Sequence, residues 1–181
     1  LQPGRPGRRR IPPERQWPDL LPMAIRAGTA RNDPSVDVVF KETALELLAR
    51  LAEFVAFKHA NDVPHIFSEL ARTTADASLP LSTRLAAWKA AAYIQTSLDD
   101  DSVGLPQFRQ ECVPAALNVL EAALRGLAAN PPLSTRDNVS VCVEQLIDLA
   151  EQRPRVFKGP HASLAAVVAA MLAIVSAAVR R

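Results

Sequence analysis

A chain of 181 residues with a net charge of +2 has room for one ordinary domain or for three to four helical repeats of about 40–50 residues. Hydrophobic residues make up 49% of it and aromatics only 5%, a balance that suits closely packed helices and argues against a β-sandwich, which draws on aromatic and β-branched side chains. The charge is unevenly placed: residues 1–16 hold five arginines against Glu14, while the remainder carries 16 basic and 18 acidic residues, so the body lacks the basic face that nucleic-acid binding requires.

The Arg/Pro-rich head, residues 1–16, is expected to be disordered. Its GRPGRRR string has the composition of a nucleic-acid contact or a nuclear address, but an unstructured tail is the simpler expectation. No apolar stretch follows the arginines, so no signal peptide is expected. The chain opens on Leu1 rather than Met, which suggests a fragment or an incomplete gene model.

From Trp17 onward the pattern predicts two alternating kinds of helix. First helices are expected at 18–30, 61–74, 111–129 and 161–179. Three of them carry a proline read as lying in the first turn, Pro22, Pro64 and Pro114, where a missing N–H leaves no intrahelical acceptor unpaired. Second helices are expected at 38–55, 81–98 and 133–152. The string PLSTR opens two of these, at 80–84 and 132–136. Aligned on Lys41, Arg84 and Arg136, the second helices have apolar residues three, seven and ten positions on: Ala44, Ala87 and Val139; Leu48, Ala91 and Val143; Leu51, Ile94 and Leu146. Those offsets keep one helix face apolar. Ser82 and Ser134, or the threonines beside them, are expected as N-caps, and Asn61 or Asp62 as the cap of the helix that follows.

Short polar or Pro/Gly/Asp-rich links, such as 31–37, 74–80, 99–107 and 153–160, join the helices. A single helical pair cannot cover its own apolar faces, so neighbouring pairs must stack. The expected fold is therefore all-α: an α-solenoid of antiparallel HEAT-like pairs in a right-handed superhelical stack. About three and a half repeats are expected, at 17–57, 58–105, 106–158 and a lone first helix at 159–181.

The run QWPDLLP (16–22), the segment FKETALELLARLAE (40–53), FRQECVPAALNVLEAAL (108–124) and the stretch 143–174 resemble, in order, HEAT repeats of the importin-β (karyopherin-β) family. The resemblance is to the branch of large import receptors that carry ribosomal proteins and histones. Leu149, Ala150, Glu151, Pro154, Phe157, Pro160 and His161 match the arrangement that joins successive repeats there. The resemblance implies a receptor shared between cytoplasm and nucleus, passing the nuclear pore, with import cargo proteins, the Ran GTPase and Phe-Gly nucleoporins as partners. It further implies that second helices line a concave binding face. Glu42, Glu46, Lys89, Gln95, Asp137 and Glu144 are read as exposed residues of that face, and Asp99, Asp100 and Asp101 as an acidic turn able to attract basic cargo.

No catalytic constellation is expected. His59, His65 and His161 are too far apart for a ligand set, and Cys112 and Cys142 lie inside apolar helical patterns, so neither a metal nor a cofactor is expected. Trp88 is expected to fill a groove between repeats, with stacking on Arg84 as the alternative. Two other functions stay open: a HEAT-repeat scaffold of another complex, or a tail-anchored membrane protein using 162–179. That stretch of 18 uncharged residues contains eight alanines and two serines, so its transfer into lipid is weakly favourable and no span is expected.

Overall fold

The computed structural model describes residues 19–30, 37–100, 102–127 and 133–158 and four isolated positions between 165 and 172; of 124–127 and 133–138 it describes the backbone alone. The described residues are mainly helical, with no strand among them. The head, expected to be disordered, the link residues 31–36 and all but four positions of the expected fourth first helix fall outside them.

Helix α1 (Leu20–Thr29) buries Leu21, Ala24, Ala27 and Gly28, one stripe at helical spacing, with Pro22 in its first turn. Helix α2 (Val38–Arg50) buries Ala44, Leu45, Leu48 and Ala49 against α1 and α5. The second helix of this pair is not continuous. Leu51, at φ −93° and ψ 10°, interrupts it, and α3 (Ala52–Lys58) resumes with Ala52 and Val55 buried and its side packed on α5.

A 3₁₀ turn, Ala60–Asp62, leads into α4 (Val63–Ala75), where Pro64 occupies the first turn as expected. Two buried threonines on α4 satisfy their hydroxyls locally: Thr73 Oγ1 donates to the Glu69 carbonyl and Thr74 Oγ1 to that of Leu70. Helix α5 (Leu81–Ser97) is buried on nearly every side, because α2, α3, α4, α7 and α8 all pack against it. That position explains its five alanines between Ala86 and Ala92, which let neighbouring helices approach closely from several directions.

The third first helix departs from expectation. It starts at Leu105, not Glu111, as the short helix α6 (Leu105–Gln107), a π-turn over Phe108–Cys112, and α7 (Val113–Leu127). Pro114 therefore lies inside a continuous helical run rather than in an initial turn. A proline there lacks an N–H and its ring crowds the carbonyl four residues back. The π-turn ahead of it, closed by Val113 N–H donating to the Phe108 carbonyl, widens the ladder and relieves that conflict. Gly104 starts this run at φ +63°, and a Cβ there would stand 2.8 Å from the Phe67 ring, so glycine is required on both counts.

Helix α8 (Leu133–Gln152) has the bounds its periodicity predicts, and a 3₁₀ turn, Pro154–Phe157, follows. First helices α1, α4 and α7 pack on one another in sequence, second helices α2, α5 and α8 do the same, and each first helix packs on its own second helix. This two-layer stacking is the α-solenoid. Its core centres on Phe67, Trp88 and Phe108, all fully buried, with ring centroids 5.1 Å apart for Phe67–Phe108 and 5.7 Å for Trp88–Phe108. Trp88 fills the groove between repeats and donates from Nε1 to the Cys142 carbonyl at 3.4 Å.

The expected N-caps are not formed. Pro80 precedes α5 and no side chain caps it; Ser82 and Thr83 are already inside the helix. Asp62 likewise makes no capping bond, its carboxylate facing His59 Nδ1 at 3.2 Å. The side chain of Ser134 lies outside the described residues.

Candidate protein-binding face

The residues that set the repeat register turn out to close each pair. Lys41 Nζ donates to the Ala30 carbonyl at the end of α1. Arg84 Nε, at the equivalent place on α5, donates to the Thr74 carbonyl at the end of α4, 2.9 Å away. Each places a cation where a first helix leaves its last carbonyls unpaired and its dipole negative. Lys41 is almost fully buried, and desolvation lowers its ammonium pKa, with the charge of Asp76 opposing that shift. The side chain of Arg136 is outside the described residues.

From that register the second helices meet along rungs of equivalent positions. Five residues beyond the basic residue stand Glu46, Lys89 and Val141, and all three line one cavity of about 70 Å³ with Glu42, Ser82 and Cys142. Lys89 Nζ pairs with Glu46 Oε2 at 2.8 Å across α2 and α5. Glu42 Oε1 accepts from the Ser82 hydroxyl and from Thr83 Oγ1, the latter at 2.8 Å. The hydroxyls expected to cap a helix lie inside it and instead donate to the Glu42 carboxylate, a charged and therefore strong acceptor, which ties α5 to α2. Burial of the Cys142 thiol behind this cavity pushes its pKa up to about 12, with Glu46 adding to the shift and Lys89 opposing it. Burial also pushes the pKa of Cys112, fully buried under Phe67, well above its ordinary value, with the charge of Glu111 adding to the shift.

Nine and twelve residues along come Tyr93 with Gln145, and Thr96 with Asp148. These four, with Ala92 and Gln152, line a groove of about 240 Å³ between α5 and α8. Tyr93 is 43% exposed, whereas Gln145 is 6% exposed and neither its Oε1 nor its Nε2 has a hydrogen-bond partner among the described residues. Arg153 ends this strip by donating to the Thr96 and Leu98 carbonyls at the end of α5.

Of the sequence-derived site residues, the structure brings Glu42, Glu46 and Lys89 together at the α2–α5 seam. Glu144 is exposed on α8, accepting from Ser140 Oγ at 3.3 Å. Gln95 is a correction: it is fully buried in α5, not an exposed residue, because this helix is enclosed by neighbours on the side that carries it. Asp99 and Asp100 are exposed after α5. The Asp100 carboxylate accepts the Ser102 N–H at 2.9 Å, and hydrogen bonds from Ser102 hold its pKa below the ordinary value, so it builds the turn that leads to Gly104. Asp101 and the side chain of Asp137 lie outside the described residues.

The groove residues Tyr93, Gln145 and Asp148 were missed, as was the Ser82/Thr83 tie to Glu42. Repeat alignment holds part of the signal: Glu46 and Lys89 are opposite charges at equivalent positions, and such pairs face each other when like helices stack in register.

The family described as IPO5-like, TPR repeats matches residues 8–167, nearly the whole chain. The chain belongs to this family. It is accordingly an importin-β-family repeat region, as the resemblance of its segments implies. The spacings of 42 and 50 residues between the first-helix prolines of this IPO5-like chain exceed the roughly 34 residues of a TPR unit and fall near HEAT length, despite the TPR in the family description. No curated protein and no solved structure matches it. No described helix is long and apolar enough to cross a membrane, and all but four positions of 162–179 lie outside the residues to which that statement applies.

Proposed function

We propose that the chain is a segment of a nuclear import receptor that works by binding and not by chemistry, using the second-helix face to hold protein. Membership of the IPO5-like family carries the proposal. What supports the choice of face is its make-up: α2, α5 and α8 adjoin one another and present Glu42, Glu46, Lys89, Glu144 and Asp148 along a strip with cavities at both seams. Carboxylates outnumber ammonium groups there, a balance that favours basic partners such as ribosomal proteins and histones. The right-handed stack of about three and a half repeats expected from the sequence would curve this face around its cargo. Import cargo, Ran and Phe-Gly nucleoporins are the proposed partners, and cytoplasm, nucleus and nuclear pore the proposed locations. Asp99, Asp100, Asp101 and Asp137 are proposed as further contacts.

A pull-down with immobilised chain tests this. Retention of RanGTP, of Phe-Gly peptides or of a basic ribosomal protein is expected. Failure to retain any of the three would remove the receptor reading for this chain.

A further inference from the structure

Helix α5 ends on Ser97, and Asp99, Asp100 and Asp101 follow it two, three and four residues on. Ser97 is partly exposed, and its hydroxyl has no hydrogen-bond partner among the described residues. Thr96 has the same acidic residues downstream, but its hydroxyl is engaged, donating to the Ala92 and Tyr93 carbonyls at 3.2 and 3.0 Å. The chain leaves the helix at Leu98 with φ −70° and ψ 131°, and Asp99 and Asp100 lie exposed beyond it. The last turn of a helix opens at low cost, because its final carbonyls lack intrahelical partners. Here two of those carbonyls are held from outside: Arg153, just after α8, donates to Thr96 and Leu98, one on each side of Ser97.

We infer that Ser97 is a phosphorylation site for an acid-directed serine/threonine kinase, and that phosphate there loosens the end of α5 from α8. Kinases choose substrates by the charge pattern around the acceptor, and three carboxylates within four residues select a kinase whose substrate groove is basic. ATP supplies the phosphoryl group. A bond forms from Ser97 Oγ to the γ-phosphorus, the bond from that phosphorus to the bridging oxygen breaks, ADP leaves, and the hydroxyl proton passes to the kinase's catalytic carboxylate. The product adds a charge of about −1.5 to −2 at the negative end of the α5 dipole, beside Asp99 and Asp100. Like charges repel there, and the last turn loses stability. Two arginines oppose this, but both are engaged: Arg153 holds the Thr96 and Leu98 carbonyls, and the charge of Arg155 acts on the Asp100 carboxylate. Opening that turn takes away the acceptors of Arg153, so a charge at residue 97 reaches the α5–α8 packing. The inference stands apart from the receptor reading, since it needs no cargo, Ran or nucleoporin.

The test incubates the folded 181-residue chain with ATP and an acid-directed casein kinase, and locates phosphate by tandem mass spectrometry. Ser97 should be the acceptor, and Ser97→Ala should abolish incorporation at this end of α5. No incorporation, or incorporation on Thr96 in its place, overturns the inference. Asp99→Asn with Asp100→Asn keeps a side-chain oxygen for the Ser102 N–H and should slow the reaction by about tenfold or more; an unchanged rate overturns the acid-directed selection. The phosphorylated chain should melt about 2–4 °C below the unmodified one, with faster hydrogen exchange at the last-turn amides of α5. A Tm equal to or above that of the unmodified chain overturns the loosening.

Discussion

Trp88 shows how much one side chain does in a thin, two-layered array. It has no exposed surface, touches the Phe108 ring, and reaches from α5 to the Cys142 carbonyl on α8, so it serves two consecutive pairs. Trp88→Ala should cost about 3–5 kcal/mol, the usual range for deleting a large buried aromatic, and should be read by urea denaturation. A cost below about 1 kcal/mol would mean the seam does not depend on it. The thiols give a second residue-scale prediction, about pH. Burial raises the pKa of Cys142 from 9.0 to about 12, so folding favours the protonated thiol. The stability this group contributes is complete below pH 9 and is lost as pH rises from 9 towards 12, by up to about 4 kcal/mol at 1.36 kcal/mol per unit. Cys112 acts in the same direction, whereas Lys41, with its lowered pKa, acts in the opposite one. Thermal unfolding followed across that window should therefore fall less steeply for Cys142→Ala than for the parent; equal slopes would contradict the assignment.

Helices were legible in the sequence where the governing rule is local and periodic. Leu133 to Gln152 keeps an apolar stripe through Val139, Leu146 and Leu149, and α8 has the bounds that stripe implies. The stripe of α5 was equally readable at Ala87, Ala91 and Ile94. Legibility ended where the cause lay in another repeat or in an unusual turn. LPQ after Gly104 reads as a link because it contains Pro106, yet proline suits the first turn of α6. Nothing in the composition of FRQEC marks a π-turn; the constraint comes from Pro114, which follows it. Ser82 follows the pattern of a cap, but its partner Glu42 is 40 residues away, beyond any local rule. Gln95 has a polar name and a buried place, so residue type alone misplaces it. At this scale the prediction concerns the α5–α8 seam. Leu146→Asp puts a charge on a face that is 3% exposed and should destabilise the array by several kcal/mol, visible as a lower thermal midpoint; Ala91→Asp, 1% exposed on the other side of α5's stripe, should do the same. An unchanged midpoint for either would refute the buried stripe.

The whole molecule is a stack in which each pair covers its neighbours, so local ties become long-range order. Lys41 and Arg84 close their own pairs, Glu42 and Glu46 bind α2 to α5, and Arg109 and Arg153 bind the last turn to its predecessors through backbone carbonyls. The partly exposed pair Lys89–Glu46 adds little stability, about 1 kcal/mol at most, but it joins one second helix to the next. Stacking in register lines up the rungs, and the rungs make a continuous face. On the proposed function this face, and not the first-helix side, meets basic protein. That proposal is tested most directly by measuring the affinity of the full chain for a basic ribosomal protein after reversing charge on either side. Glu144→Lys with Asp148→Lys on α8 should weaken binding by about tenfold or more, and Glu69→Lys with Glu121→Lys on the first helices should leave it within about twofold of the parent. Equal losses from both pairs, or a loss from the first-helix pair alone, would contradict the claim.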